Sequence, residues 1–393
     1  MPNRPFFSII TAVYNCEKYI NGVINSVLKQ ECNDYEYIIV NDGSTDGTLA
    51  VIESFQDDRI KIITQENQWV YAAMNRGIKE AQGKYIVLVN ADDLLHSDVL
   101  SIARRKIIEN NYPDVVWENC YIHEVDENQK IIKRDKNNID GKYWCDKLFS
   151  STQEMLDSWV WLSKNIINVN PHNIYKRELM LKHPFRNDVY GADTLMNIDM
   201  TKDIKRSLFI VEPLVEVLTY PQPEMNISKG NKFYDYAYDM FMEITEKSIE
   251  LLANNDINDL HEAKIFFYTQ EVAFYRVVAN SLSAYNCTYS IEEKVTLLMD
   301  KYLNQKIWEM ASYAKVNYQL IAYTVNGLKR ILENDSIPTD SEYYFLNHLI
   351  KVALKQEKPD EEKMKLAVLH EKNPYGVGSR LFRDTFGYDI VQS

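Results

Sequence analysis

The sequence predicts an α/β protein with a mostly parallel sheet, helices on both faces of that sheet, and an α-helical C-terminal domain. Two observations support this expectation. Over residues 1–95, short β-branched apolar runs alternate with segments of helical periodicity, whereas from about residue 231 the apolar spacing is almost wholly helical. The chain has 393 residues, which is long enough for two or three domains with buried cores.

Four buried strands are predicted in the first hundred residues, because each run is short, apolar and rich in β-branched or aromatic side chains. The predicted strands are residues 6–13, 36–41, 60–64 and 85–90. The predicted helices between them are residues 17–30, 46–55 and 70–82. This order of elements requires right-handed crossovers, and it predicts a Rossmann-like sheet whose ligand site lies at the carboxyl ends of the strands.

The rest of the chain is predicted to complete one domain and to form another. Residues 121–134 resemble a hairpin that turns at residues 126–128, and residues 208–220 indicate one or two further strands. We therefore place the first domain at residues 1–230, with halves at 1–95 and 96–230. The helical domain is placed at residues 231–393.

The composition argues against several classes of protein. A net charge of −13 is the opposite of the basic face that a nucleic-acid-binding protein normally carries. The five cysteines are scattered and form no C-x-x-C pair, which indicates reduced thiols in the cytoplasm rather than a disulfide framework or a structural zinc site. No apolar run reaches the roughly 18 residues of a membrane-spanning helix, so no transmembrane segment is expected.

Polar motifs follow the second and fourth predicted strands. Residues 41–47 read NDGSTDG, which forms either a tight turn with a helix cap or a loop whose Asp42 binds a polar ring edge or a ribose. Residues 90–93 read NADD, where Asp92 and Asp93 would repel each other at a buried strand end. A divalent cation would relieve that repulsion, and loop acidity with helix capping is the alternative.

The set of motifs is more specific than any one of them. At successive strand ends the chain carries residues 12–15 (AVYN), 41–47, 65–67 (QEN), 73–78 (AMNRGI) and 90–93. This set resembles the nucleotide-sugar-binding half of the family 2 glycosyltransferases, which have the glycosyltransferase A fold. Residues 71–93 are similar to a bacterial subgroup that builds cell-surface polysaccharides. The resemblance is strong over residues 6–95 and weaker to about residue 230.

The resemblance implies positions for a nucleotide sugar and a metal ion. The implied nucleotide-sugar-binding residues are Ala12, Tyr14, Asn15, Asp42, Asn67, Asn75 and Asp92. Tyr14 would lie against the base, and Asp42 would bind the edge of that base, which is most commonly uracil in this family. Asp92 would contact the ribose or the sugar, and Asp93 would coordinate the Mn²⁺ or Mg²⁺ that bridges the diphosphate.

A second segment, residues 190–195 (YGADTL), resembles the E-D-T-L segment of the family, with Ala in place of Glu. Asp193 would then be the catalytic base of an inverting transfer. Its alternative role is a helix N-cap, and Asp188 and Asp199 are the nearest alternative bases. His172 and Arg177 could contact phosphate or serve a surface role.

Four further positions depart from the family pattern. Asn41 and Asn90 stand where aspartates are usual, Trp69 stands where glycine is usual, and Ala72 replaces an aspartate common in the subgroup. These departures leave the particular sugar open.

We therefore expect a cytoplasmic, metal-dependent, inverting glycosyltransferase with a catalytic domain at residues 1–230. It would take a nucleotide diphosphate sugar, most often a UDP-sugar, and a glycan or lipid-linked glycan acceptor. Peripheral contact with the inner face of the cell membrane and a homo-oligomer through the helical domain are left open. The alternatives are a nucleotidyltransferase, for which the first loop (residues 12–17) lacks the expected Gly and Lys, and a degenerate nucleotide-sugar-binding or assembly module.

Overall fold

The structure, a computed structural model, describes residues 4–126, 130–136, 142–167, 172–219 and 232–334. Its contacts divide the chain into two compact units. The first contains the described residues up to 219 together with Glu250–Asp259, and the second contains residues 232–249 and 260–334. The predicted boundary after residue 230 and the end of the predicted helical domain, residues 335–393, lie outside the described residues, so the domain limits stay a prediction.

The first unit, which we call the sheet unit, begins with alternating strands and helices as predicted. Its strands are β1 (Phe7–Val13), β2 (Tyr35–Asp42), β3 (Ile60–Gln65), β4 (Tyr85–Leu88), β5 (Leu94–Leu95), β6 (Val115–Val125), β7 (Ile131–Lys136), β8 (Lys147–Phe149), β9 (Ile174–Lys176) and β10 (Ser207–Thr219). Its helices are α1 (Ile20–Leu28), α2 (Thr48–Glu53), α3 (Val70–Glu80), α4 (Val99–Glu109), α5 (Thr152–Leu156), α6 (Trp159–Leu162), α7 (Arg177–Lys182) and α8 (Ala192–Met200). Short π-helical and 3₁₀ turns follow α6 and α8, at Ser163–Ile167 and Thr201–Asp203.

All ten described strands join one sheet in the order β3-β2-β1-β4-β9-β6-β10-β5, with β7 on β6 and β8 on β10. The four strands β1 to β4 pair in parallel, as do β6 and β10. The strands β5, β7, β8 and β9 pair antiparallel to their neighbours. The parallel half therefore brings the carboxyl ends of β1, β2, β3 and β4 to one edge of the sheet.

Helices cover both faces of the parallel half, because its strands are apolar on both sides. All seven residues of β1 are buried. Side chains of α1, α2 and α4 share one buried cluster with Ile9 of β1 and Ile39 of β2. On the opposite face α3 lies so close that a Cβ on Gly77 would be 2.5 Å from Ile10 Cγ2. The α/β class with helices on both faces is thus confirmed.

The second unit, which we call the helical unit, consists of helices in its described residues. Its elements are α9 (Ala237–Ala253, whose last turn falls in the sheet unit), α10 (Leu260–Ser281), α11 (Ile291–Thr296), a π-helical segment (Leu297–Tyr302), α12 (Gln305–Tyr313) and α13 (Asn317–Asn334). The hydroxyl groups of Tyr275 on α10 and Thr324 on α13 are hydrogen-bonded at 2.8 Å. The predicted helical character of this region is confirmed over residues 237–334. Across the described ranges, every helix is either too short or too polar to traverse a lipid bilayer.

Candidate functional site

The loops that follow β1 and β2 are tied together at the carboxyl edge of the sheet. The Asn15 backbone N–H donates to Ser44 Oγ at 3.1 Å, and the Thr45 N–H donates to Asn15 Oδ1 at 2.8 Å. Asn15 holds a left-handed φ of 52°, a conformation that asparagine adopts more readily than most residues. The adjacent Tyr14 remains 48% exposed. The first loop therefore presents an aromatic ring beside a fixed turn.

Asp42 ends β2 and is held by the loop after β3. Its Oδ1 accepts hydrogen bonds from Gln65 Nε2 at 2.8 Å and from the Gln68 N–H at 3.0 Å. Gly43 has a φ of +73°, and a Cβ there would lie 2.8 Å from the backbone nitrogen of Asn67, so the close approach of the two loops requires glycine. Asp42 is 2% exposed, and both of these bonds use Oδ1, so Oδ2 is the oxygen that neither donor occupies.

A buried ion pair lies at the end of β4. Asp93 is 3% exposed, and its Oδ2 is 2.7 Å from Nε2 of His172, which is fully buried. The other ring nitrogen of His172 is 3.0 Å from the carbonyl oxygen of Leu88. Since both ring nitrogens face acceptors, only the imidazolium can donate to both. Burial opposes that charge, but the charge and hydrogen bond of Asp93 outweigh it, and the pKa of His172 is raised.

Asp93 has two further donors, which leaves Asp92 as the more accessible member of the pair. The Leu218 N–H donates to Asp93 Oδ1 at 3.0 Å, and Asn90 Nδ2 donates to Asp93 Oδ2 at 2.9 Å. Asp92 is only half-buried in the structure. Burial and then the neighbouring charge of Asp93 raise the pKa of Asp92. Burial and then the charge of Asp92 raise the pKa of the Cys16 thiol to about 11, which shows that Asp92 lies near the loop after β1.

Asp193 lies in the first turn of α8, beside the start of α3. Gly191 is the N-cap of that helix, so the cap predicted as the alternative role of Asp193 belongs to another residue. Asp193 Oδ1 accepts from the Thr194 N–H at 2.8 Å and lies 3.3 Å from the Tyr71 hydroxyl. The single proton of that hydroxyl is directed mainly to the carbonyl of Tyr190, at 2.5 Å. Burial is the main reason that the pKa of Asp193 is raised.

The remaining predicted residues lie either at the edge of the sheet or in a contact between α3 and the segment before α8. Ala12 is buried in β1, and Asn67 is exposed in the loop after β3. The Asn75 side chain exchanges two hydrogen bonds with the backbone of Phe185, at 2.8 and 3.0 Å, and so joins α3 to the segment before α8. The binding roles of Ala12, Asn67 and Asn75 stay predictions.

The structure gives a physical reason for one departure from the family pattern, at Asn90, and shows that another, at Trp69, is strained. The Asn90 amide donates to Asp93, which an aspartate could not do, and an aspartate would add a third negative charge beside Asp92. Trp69 is the N-cap of α3 and has φ 77° and ψ 157°, a region that is essentially restricted to glycine.

The sequence did not predict the roles that His172 and Tyr71 have in the site. It predicts that His172 contacts phosphate or lies at the surface, yet the His172 ring is buried against Asp93. Tyr71 carried no signal, because a tyrosine at a helix start is ordinary in sequence. Arg177 donates from Nε to the carbonyl of Ala81 at 2.6 Å.

The site residues fit a metal ion that is held largely by the phosphates of a bound substrate. Within the described part of the chain, no group of three or more His, Cys, Asp or Glu side chains is arranged to hold a metal. Mg²⁺ is commonly bound by one or two carboxylates together with substrate phosphates and water, a requirement that Asp92 can meet. The raised pKa of Asp92 is the electrostatic cost that a cation would offset.

Comparison with known proteins identifies the class. Residues 8–182 match the model of Glycosyl transferase family 2, and this part of the chain belongs to that family. The glycosyltransferase GlyG of Streptococcus pneumoniae is 35% identical over 117 residues, which are 29% of this chain and 38% of GlyG. The curated relatives that match this chain at 34–41% identity do so over only 11–45% of their own length.

Two longer similarities extend over most of the chain. The uncharacterized glycosyltransferase EpsJ of Bacillus subtilis is 24% identical over 364 residues, which are 90% of this chain and 96% of EpsJ. The crystal structure of S. aureus TarS 1–349 in complex with UDP-GlcNAc superposes with a TM-score of 0.51 at 18% identity, covering 84% of this chain and 88% of the TarS 1–349 chain. The likeness to TarS shows the fold, and the glycosyltransferase A fold is confirmed.

Proposed function

We propose that the chain transfers a sugar, with inversion, from a nucleoside diphosphate sugar to a hydroxyl group of a glycan acceptor. The observation that supports this most directly is the placement of three carboxylates with different surroundings: Asp42 ends β2, Asp92 follows β4, and Asp193 lies in the first turn of α8. We further propose that the acceptor is a growing bacterial surface polysaccharide, since residues 71–93 resemble that subgroup.

The nucleotide would lie across the loops after β1, β2 and β3. Asp42 Oδ2 would accept an N–H from the edge of the base, for which uracil is suitable because its ring carries an N–H between two carbonyl groups. The exposed ring of Tyr14 would stack on that base. Support for this arrangement comes from the two protein donors that fix Asp42 Oδ1 and so orient the carboxylate.

Asp92 is the residue that we propose faces the metal ion. The sequence assigned the metal to Asp93 and the ribose or sugar to Asp92, but Asp93 is 3% exposed and accepts from three protein donors. The His172–Asp93 pair would instead hold the strand end that carries Asp92. When bound, a divalent cation would neutralise charge on the leaving nucleoside diphosphate.

Asp193 would remove the proton from the attacking hydroxyl. Its Oδ1 accepts from the Thr194 N–H and lies beside the Tyr71 hydroxyl, so Oδ2 would be the oxygen that accepts the proton. A raised pKa makes the carboxylate a stronger base near neutral pH. Asp188 is less suitable, because its hydrogen bonds with Arg186 lower the pKa of its carboxyl.

A thermal-shift experiment tests the donor site and the metal together. Wild type, Asp92→Asn and Asp93→Asn would be heated with UDP, GDP, UDP-N-acetylglucosamine or GDP-mannose, each with Mn²⁺ or with EDTA. A ligand that binds only the native state raises Tm, so wild type should show an Mn²⁺-dependent shift with at least one nucleotide.

The two variants should then behave differently. Asp92→Asn should lose the Mn²⁺-dependent shift while its ligand-free Tm is unchanged or higher, because a carboxylate with an unfavourable raised pKa is removed. Asp93→Asn should lower the ligand-free Tm, because it disrupts the buried pair. An Mn²⁺-dependent shift that survives in Asp92→Asn would contradict the metal assignment, and a wild type that responds to none of the four nucleotides would contradict the proposed function.

A further inference from the structure

We propose that the indole ring of Trp69 stacks on the sugar ring of the bound donor, and that the strained backbone at this residue is retained for that contact. The inference rests on the proposed function, because it assumes a nucleoside diphosphate sugar at the strand ends. It adds a residue that selects the donor through its sugar rather than through its nucleotide.

The first observation is the backbone conformation of Trp69. Its φ of 77° and ψ of 157° place it where glycine is almost the only residue found, since a Cβ meets the neighbouring backbone there. Strain of this kind lowers stability and persists where the surroundings enforce it, often at ligand-binding positions. A glycine would remove the strain, so the backbone gives no reason for a tryptophan at this position.

The second observation is where Trp69 lies between the two functional ends of the site. The preceding residue, Gln68, donates its backbone N–H to Asp42 at 3.0 Å. Two residues after Trp69, the Tyr71 hydroxyl is 3.3 Å from Asp193. The rings of Trp69 and Tyr71 are 6.4 Å apart between centroids, so the indole lies near the ring whose hydroxyl faces Asp193.

These contacts determine which part of a donor the indole would meet. A nucleotide sugar with its base at Asp42 and its reacting carbon near Asp193 brings its sugar ring toward Tyr71. Trp69 is half-buried, so part of its surface is accessible. The C–H groups on one face of a pyranose are apolar and suit an aromatic face, whereas a diphosphate would favour a cation or an N–H donor.

The experiment measures the gain in affinity that the sugar adds to the nucleotide. Full-length wild type, Trp69→Gly, Trp69→Ala and Trp69→Phe would be titrated calorimetrically, in Mn²⁺, with UDP and UDP-N-acetylglucosamine and with GDP and GDP-mannose. Wild type should bind at least one nucleotide sugar more tightly than the matching nucleotide. Trp69→Gly and Trp69→Ala should both raise the Kd of that nucleotide sugar by roughly three- to tenfold and leave the Kd of the nucleotide unchanged. Trp69→Phe should retain most of the gain in affinity.

The glycine and alanine variants also separate the ligand contact from folding. Both lack the indole ring, but only Trp69→Ala keeps a Cβ in the strained region. Trp69→Gly should therefore melt roughly 2–4 °C above Trp69→Ala, although both lose the sugar-dependent affinity. A residue that acted only in folding would change Tm and leave the difference between nucleotide and nucleotide sugar intact.

Two outcomes would overturn the inference. One is an unchanged sugar gain in Trp69→Gly, which includes an equal loss of affinity for nucleotide and nucleotide sugar, and the other is a wild type that binds nucleotides but gains nothing from either sugar. Failure of wild type to bind any of the four nucleotides would instead contradict the proposed function, and this inference with it.

Discussion

Buried carboxyl groups occur in both units of the chain, but their surroundings differ. In the sheet unit, Asp93 is 3% exposed and accepts from three protein donors, one of which is the imidazolium of His172. In the helical unit, Glu271 is fully buried and its Oε2 accepts from the Thr245 hydroxyl at 2.7 Å. No group in the described residues is hydrogen-bonded to the other oxygen of Glu271.

The difference shows that the partner, rather than burial itself, decides whether a buried acid is charged. Burial raises the pKa of Glu271 to about 7, and the single hydroxyl donor only partly opposes it. Beside Asp93, a cation compensates the buried charge, so an ion pair is maintained at the strand end. Such a pair fixes the segment that carries Asp92. Glu271 lies among helices, and its carboxyl group keeps its proton.

Removing the imidazolium of His172 should have the largest effect on stability. His172→Phe leaves the Asp93 carboxylate buried without its charged partner, and it should lower the free energy of unfolding by about 3–5 kcal/mol in urea at pH 6. The contribution of His172 is fully present below its ordinary pKa of 6.5 and declines as pH rises through its raised pKa.

A second His–Asp pair provides the control for that variant. His183 and Asp203 are also 2.7 Å apart, but the Asp203 side chain is 26% exposed, compared with 4% for Asp93. When His183 is removed, Asp203 keeps its ion pair with Lys182 at 2.6 Å and is open to water, so His183→Phe should cost about 1 kcal/mol or less. Equal losses in the two variants would show that burial of the Asp93 pair has no special effect.

Glu271→Gln should have an effect of the opposite sign, because it should stabilise the chain near neutral pH. Between the ordinary pKa of 4.5 and the folded value of about 7, the folded chain keeps a proton that the unfolded chain has lost. The unfolding free energy of wild type therefore falls by about 1.4 kcal/mol per pH unit across that window as pH rises. Glutamine does not titrate, so the variant should match wild type near pH 4.5 and be the more stable protein at pH 7.

Urea unfolding at several pH values would check this prediction, with Glu262→Gln on the same helix as the control. The unfolding free energy of the control should change with pH in the same way as that of wild type. A constant difference between Glu271→Gln and wild type from pH 4.5 to 7 would show that Glu271 does not retain its proton in the folded chain.

The parallel half of the sheet was predictable because each strand is apolar on both faces and each helix shows one apolar face. The predicted strand at residues 60–64 became β3 (Ile60–Gln65), and the predicted helix at residues 70–82 became α3 (Val70–Glu80). The antiparallel insertion of β9 between β4 and β6 was not predicted. Three residues carry too little periodicity to indicate either a strand or its neighbours.

The positions of the candidate site were predictable, but several side-chain contacts were not. Asp42 and Asp92 follow buried strands, so their place at the edge of the sheet follows from local pattern. The His172–Asp93 pair joins residues 79 positions apart, and the contact of Tyr71 with Asp193 spans 122 positions. Such contacts depend on how β9 and α8 pack, which no local pattern in this sequence encodes.

The central claim is that Asp193 accepts the proton of the attacking hydroxyl while Asp42 and Asp92 hold the donor. The most direct measurement compares donor Kd and sugar transfer to a glycan acceptor in wild type, Asp193→Asn and the control Asp188→Asn. Asparagine preserves the size and first-turn position of the side chain but cannot accept the proton. Asp193→Asn should lower transfer by roughly 10²–10⁴-fold with donor Kd unchanged, while the control stays near wild type. Near-wild-type transfer by Asp193→Asn would contradict the account.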